Sequence, residues 1–179
     1  VFDFIEVLKS ESENTVKWLY DNKMFVNPDK FKSIIIQKHK TLNQPDKILI
    51  GSNSVEITSS VKLLGVTIDN QLNFNIHITN ICKSASNQLN ALVRLKPFLG
   101  FEEKKVLINS FILSNFNYCP LVWFITWSKS LNKIENLHKR ALQFLFDDYQ
   151  SSYDQLLVRS GKPSLNIRNY RNLCIEIYK

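Results

Sequence analysis

The hydrophobic period of the chain changes near Asp69, and that change limits the folds open to it. Before that point the apolar residues come in short runs: Ile34 to Ile36, "KILI" at 47–50, "SVEIT" at 54–58 and "SVKLLGVTID" at 60–69. Runs this short and this rich in β-branched residues read as strands. After it, Phe74, Ile78, Ile81, Ala85, Leu89 and Leu92 recur at intervals of three and four, and Pro97 closes the segment. That is the period of an amphipathic helix and the residue that ends one. A similar pattern opens the chain, with Phe2, Ile5 and Leu8 and then Val16, Leu19 and Tyr20.

The expected class is therefore α+β. A short α/β section with a small antiparallel sheet, residues 1–69, precedes an all-helical section. In the first part, Ile34 to Ile36 predict a buried strand, and the two runs around Gly51-Ser52-Asn53 predict a hairpin. Gly65 falls inside the run "SVKLLGVTID" and predicts a bulge or a close approach of backbone to another group. In the second part, "FEEKKVLINSFILSNFNY" and "LVWFITW" read as helices interrupted near Pro120. The clearest helix is "SKSLNKIENLHKRALQFLF", which Ser128 or Ser130 could cap and whose stripe is Leu131, Ile134, Leu137, Ala141, Leu142 and Leu145. Two further helices, near 151–160 and 165–178, flank Gly161-Lys162-Pro163.

Charge is unevenly distributed along this layout. Between residues 70 and 146, nine Lys and Arg residues face three Glu. Such an excess suits a polyanion, although a solvated basic face has the same composition. Cys82, Cys119 and Cys174 are odd in number and lack C-x-x-C spacing. With His39, His77 and His138 they suggest neither a disulfide framework nor a zinc site. No apolar run is long enough to span a bilayer, so no membrane partner is expected and the default setting is nuclear or cytoplasmic.

Four stretches carry a resemblance: "WLYDNKMFVNPDKFKSIII", "VKLLGVTIDNQLNFNIHI", "NYCPLVW" and "IENLHKRALQFLFDDY". Their order and spacing resemble the reverse transcriptases (RNA-directed DNA polymerases) of non-LTR retrotransposons, in the part that follows the catalytic aspartates. The resemblance implies that residues 1–69 are the end of the palm with its primer-grip hairpin, 70–147 a thumb-like region and 148–179 a helical C-terminal extension. It implies an RNA template and DNA primer duplex as partner, together with an N-terminal polymerase portion outside this chain. Trp18, Asn22, Asn27 and Lys30 match the palm motif, and the resemblance implies Lys30 as a general acid for the leaving pyrophosphate. A lysine suits that role because it carries charge and can surrender a proton. The plainer reading of Lys30 is a turn lysine beside Asp29.

On the same basis Lys62, Leu64, Gly65 and Val66 are candidate primer-grip residues. Lys83, Lys104, Lys105, Lys133, Lys139 and Arg140 are candidate phosphate contacts of the thumb. Tyr118, Trp123, Phe124 and Trp127 could stack on bases, but their helical spacing favours core packing. The parent enzyme would use Mg2+ held by carboxylates upstream of Val1, so this chain alone is expected to be inactive and to hold no cofactor. The pair Asp147-Asp148 follows a helix, whereas a metal pair needs a strand-turn-strand mount, so it reads as a helix junction. The competing readings are a helical protein-interaction module with an acidic partner and a relic of a transposable element.

Overall fold

The computed structural model describes residues 2–36, 45–50, 53–124 and 128–179, with side chains at 2–4 and 128–130 excepted. The chain is α+β and divides into two compact units, residues 1–72 and 73–179. The capping role expected of Ser128 or Ser130, the turn residues Gly51 and Ser52, and also His39 and Trp127, lie outside the described residues.

The first unit opens with α1 (Phe2–Asp21). Ile5, Lys9, Ser12, Val16 and Leu19 are its partly buried positions, spaced four, three, four and three, which traces one face of a helix. The helix lies against β1. It ends where Lys23 takes a left-handed conformation (φ 58°) and the Met24 N–H reaches back to the Leu19 carbonyl at 2.9 Å. This is the six-to-one closure common at helix C-termini.

Two antiparallel hairpins follow as separate two-stranded sheets. In one, β1 (Lys47–Ile50) pairs with β2 (Asn53–Glu56), and Ile48 opposite Val55 forms its buried pair. In the other, β3 (Ser60–Leu63) pairs with β4 (Val66–Asp69). Two sequence expectations need correction here. Ile34 to Ile36 form no strand: among the described residues the segment's one β-bridge is the parallel one between Ser33 and Ile57, and Ile36 is exposed. β-branched residues supply the propensity, but a strand exists only where a ladder partner is present. Gly65 is not inside a strand either. Leu64 and Gly65 are the two turn residues of a tight hairpin, with φ 45° and 90°. Positive φ at both positions lets the turn match the twist of the strands, and Gly accepts it without strain.

The second unit is helical. α2 (Asn75–Arg94) buries His77, Ile78, Cys82, Ala85, Leu89 and Leu92. α3 (Phe101–Leu107) runs into a π-helical stretch, Ile108–Leu113, and then into α4 (Ser114–Asn117). α5 (Pro120–Trp123) is a single turn started by proline, whose missing N–H costs nothing at that position. α6 (Ser128–Phe146) packs against α2, α3, α7 (Tyr153–Ser160) and α8 (Leu165–Tyr178). The expected stripe of α6 is buried apart from the half-buried Leu131, and His138 and Phe144 join it. α7 and α8 therefore belong to the same packed body as α2 to α6, where the sequence layout separates them after residue 147. Trp123 and Phe124 are core residues: Trp123 is fully buried with its Nε1–H donating to the Tyr118 carbonyl at 3.0 Å, and Phe124 meets Tyr170 edge-on.

Candidate nucleic-acid interface

Lys30 ends a 3-10 turn, Pro28–Lys30, which Asn27 starts by accepting the Asp29 N–H at 3.0 Å. The lysine is exposed, and among the described residues it has no ion-pair partner. Asn22 of the same motif is spent locally, its amide donating to the Trp18 carbonyl at 2.8 Å, and Trp18 is itself exposed. The motif thus presents a tryptophan ring and an ammonium on solvated backbone elements of the first unit.

The β3–β4 hairpin presents a second set. Lys62 and Leu63 at the end of β3 are exposed, and Leu64 at the tip is 84% exposed. An apolar side chain at positive φ on a hairpin tip is costly on two counts, by backbone strain and by hydration. Val66 behaves differently from the expectation, since it is buried. The exposed end of the hairpin is made by Lys62, Leu63, Leu64 and Gly65.

In the second unit three of the expected phosphate contacts lie on the paired helices α2 and α6. Arg140 on α6 reaches across to α2, with Nη2 donating to Asn90 Oδ1 at 3.1 Å and Nη1 to Ser86 Oγ at 3.4 Å. Two helical turns earlier on α6, Lys133 lies near Cys82, where its charge partly offsets the burial that pushes that thiol up to about 11. Lys83 is the next residue along α2, exposed and one turn from Ser86. The polar seam of the α2 and α6 pair thus has the Arg140 contacts with Ser86 and Asn90, with Lys133 on α6 and the exposed Lys83 on α2 along the same two helices. The remaining candidates go elsewhere. Lys139 is half-buried, and Lys105 is exposed, pairs with Glu102 at 3.3 Å and lies over the Phe101 ring.

Lys104 turns inward. It is buried, its Nζ sits 2.7 Å from Asp147 Oδ2, and it packs over the Phe144 ring. A phosphate contact from this residue is corrected by its burial: α3 carries Lys104 on its core side and Lys105, one residue on, outside. The opposite carboxylate explains the pair of aspartates as well. Asp147 occupies a left-handed position (φ 54°) after α6, and the Asp148 N–H returns to the Gln143 carbonyl at 3.1 Å. That is a Schellman closure with aspartate where glycine is usual. Hydrogen bonds from Lys104 and Lys96 hold the Asp147 carboxyl below the usual range. Asp148 instead accepts from the Ser151 hydroxyl at 2.6 Å and from the Ser151 and Gln150 N–H groups, and it faces Arg159. Ser152 then caps α7, with Gln155 completing a capping box.

The two carboxylates thus serve different partners. Among the described residues no group of three His, Cys, Asp or Glu side chains is placed to hold a metal ion. Also among the described residues, no helix is long and apolar enough to cross a membrane. Comparisons with protein-family models, with curated proteins and with solved structures found no match.

Proposed function

We propose that this chain supplies the end of the palm and the thumb of a non-LTR retrotransposon reverse transcriptase, and that it contacts a duplex of RNA template and DNA primer. The observation that carries the proposal is the α2 and α6 seam, where Arg140 reaches from α6 to Ser86 and Asn90 of α2 and Lys133 and Lys83 lie on the same two helices. A guanidinium held by two neutral acceptors keeps its full charge for a phosphate, and its orientation is fixed before binding. The hairpin tip in the first unit adds a second support. Lys62, Leu63 and Leu64 stand out from it, which suits a 3′ end resting on exposed backbone at Gly65. Lys30, exposed on its turn, is the residue in this chain suited to protonate a departing pyrophosphate in an assembled polymerase. Among the described residues the carboxylates form no metal-holding group, so no metal-dependent step is assigned to them.

The test is a salt titration of binding to an RNA–DNA duplex, read by fluorescence anisotropy. Counterion release makes log Kd rise with log salt, and each lost phosphate contact lowers the slope by about one. The triple variant Lys83→Gln, Lys133→Gln, Arg140→Gln should therefore lose about three units of slope. Binding that stays flat as salt rises, or a triple variant with the slope of the parent chain, rejects the reading.

A further inference from the structure

Two cavities lie side by side in the helical unit, and neither is used by the seam. One has a volume of about 130 Å³, with Phe101, Ile108, Leu142, Leu145 and Phe146 among its walls and Lys105, Arg159 and Lys162 at its margin. The other, of about 210 Å³, is lined by Leu113, Pro163 and Leu165 and by three cations, Lys162, Arg168 and Arg171. His138, Leu113 and Lys162 border both. The first cavity is close to the ~150 Å³ that admits a single benzene ring in an engineered protein core. It owes part of its wall to the π-helical stretch, since Ile108, Asn109 and Leu113 all come from it. Such local widenings of a helix are kept mainly where they shape a site.

The second cavity is lined by cations and, among the described residues, by no carboxylate. Among the described residues, none of Lys162, Arg168 and Arg171 forms an ion pair; Arg168 donates to Asn117 Oδ1 at 2.6 Å and Lys162 to Asn109 Oδ1 at 3.5 Å. Glu135 on α6, which accepts from the Tyr153 hydroxyl and the Asn166 N–H, also acts on Arg168 from outside the lining and offsets part of its charge. Burial and the charges of Arg168 and Lys162 together push His138 down to about 4, so the imidazole stays neutral beside them. Arg168 is half-buried, which strengthens its attraction for an anion.

We propose that the two cavities form one site for a single nucleotide, its pyrimidine-sized ring in the apolar cavity and its phosphate against Lys162, Arg168 and Arg171. The assignment rests on the nucleic-acid reading above and deepens it by adding an unpaired nucleotide to the duplex. The ligand chemistry is that of a nucleoside monophosphate, whether free or within a strand.

The probes are uridine monophosphate, uridine, inorganic phosphate and single-stranded oligouridylate. Titration of the full chain is followed by the NMR signals of the His138 ring, which borders both cavities. Uridine monophosphate should shift them with an affinity about tenfold above that of uridine or phosphate alone. Oligouridylate doing the same places the nucleotide in a strand; the monophosphate acting alone makes it a free nucleotide. Arg168→Gln with Arg171→Gln should weaken binding of uridine monophosphate, and of oligouridylate where it binds, by about tenfold or more and leave RNA–DNA duplex binding unchanged. The loop variant Lys162→Gln should weaken it in the same direction, which covers a loss of α8 packing in the double variant. Unshifted His138 signals, or equal losses for duplex and single strand, overturn the proposal. The Lys83, Lys133 and Arg140 variants act on the duplex alone, so failure here is distinguishable from failure of the seam.

Discussion

His138 shows how a single buried side chain sets the acid response of the helical unit. Its Nδ1 is 2.8 Å from the Tyr153 hydroxyl, which in turn donates to Glu135. Burial and Glu135 raise the tyrosine well above its usual value, so it keeps its proton. The hydroxyl proton is thus committed to the carboxylate, and the imidazole must carry its own proton on Nδ1 and donate it to the tyrosine oxygen. With a folded value near 4 against 6.5, the unfolded chain binds a proton between those limits and the folded chain does not. Stability is therefore full above pH 6.5 and declines as pH falls toward 4, by roughly 3 kcal/mol in all. Urea unfolding at a series of pH values should show this decline, and His138→Gln should flatten it. The pair of Lys104 and Asp147 gives a second test. Asp147→Ala leaves a buried ammonium unpaired and should cost about 1–3 kcal/mol, less than a fully enclosed pair because water reaches Asp147. Lys104→Met removes that charge and keeps the volume, so in the Asp147→Ala background it should restore most of the loss in a thermal melt.

Among the elements, the β3–β4 hairpin best exposes a tension between stability and contact. Its turn has positive φ at both central residues, a geometry that Asn-Gly adopts readily and Leu-Gly does not. Leu64→Asn should stabilise the hairpin by about 1 kcal/mol. If the leucine rests against a primer, the same change should weaken duplex binding, and chemical denaturation and anisotropy on one sample would show both effects. The helix stops tell a similar story of local chemistry. Gly161 ends α7 at φ 64°, as glycine commonly does, whereas α6 ends on Asp147, whose strain is offset by Lys96 and Lys104. The first of these is visible as a Gly-Lys-Pro break in the sequence. The second depends on two lysines more than forty residues upstream, on another part of the chain.

At the scale of the molecule, the two units differ in how well they are packed. Among the described residues the first unit buries only Ile48, Val55 and Val66 of its apolar side chains, and the second buries twenty. Each full burial contributes about 1.5–3 kcal/mol, so the helical unit carries most of the hydrophobic stabilisation. Trp18, Tyr20, Phe25, Leu49, Leu63 and Leu64 remain exposed in the first unit. That surface is consistent with the proposal that further palm elements cover it in a polymerase. Hydrogen exchange of the full chain should show the amides of β1 to β4 exchanging well before those of α2 and α6. Equal protection across both units would contradict this difference in packing.

The α+β order, the helix stripes and the breaks at Pro97, Pro120 and Gly161-Lys162-Pro163 were legible in the sequence. They depend on periodicity and on residues that act within a few positions of themselves. The absence of a strand at Ile34 to Ile36 was not legible, because a ladder needs a partner that propensity does not supply. Nor was the inward turn of Lys104 beside the outward Lys105, since both carry the same charge and only the packing of α3 separates them. Lys162, Arg168 and Arg171 gave no signal, being scattered basic residues until α6, α8 and the loop before α8 come together around one cavity. Sequence by itself determined the long helices, the β1–β2 hairpin, the helix junction at Asp147-Asp148 and that the centre of the chain is basic. Tertiary structure alone decided which lysines meet solvent, that Asp147 pairs with Lys96 and Lys104, and that Lys162, Arg168 and Arg171 line one cavity, because burial and pairing depend on residues distant in the chain.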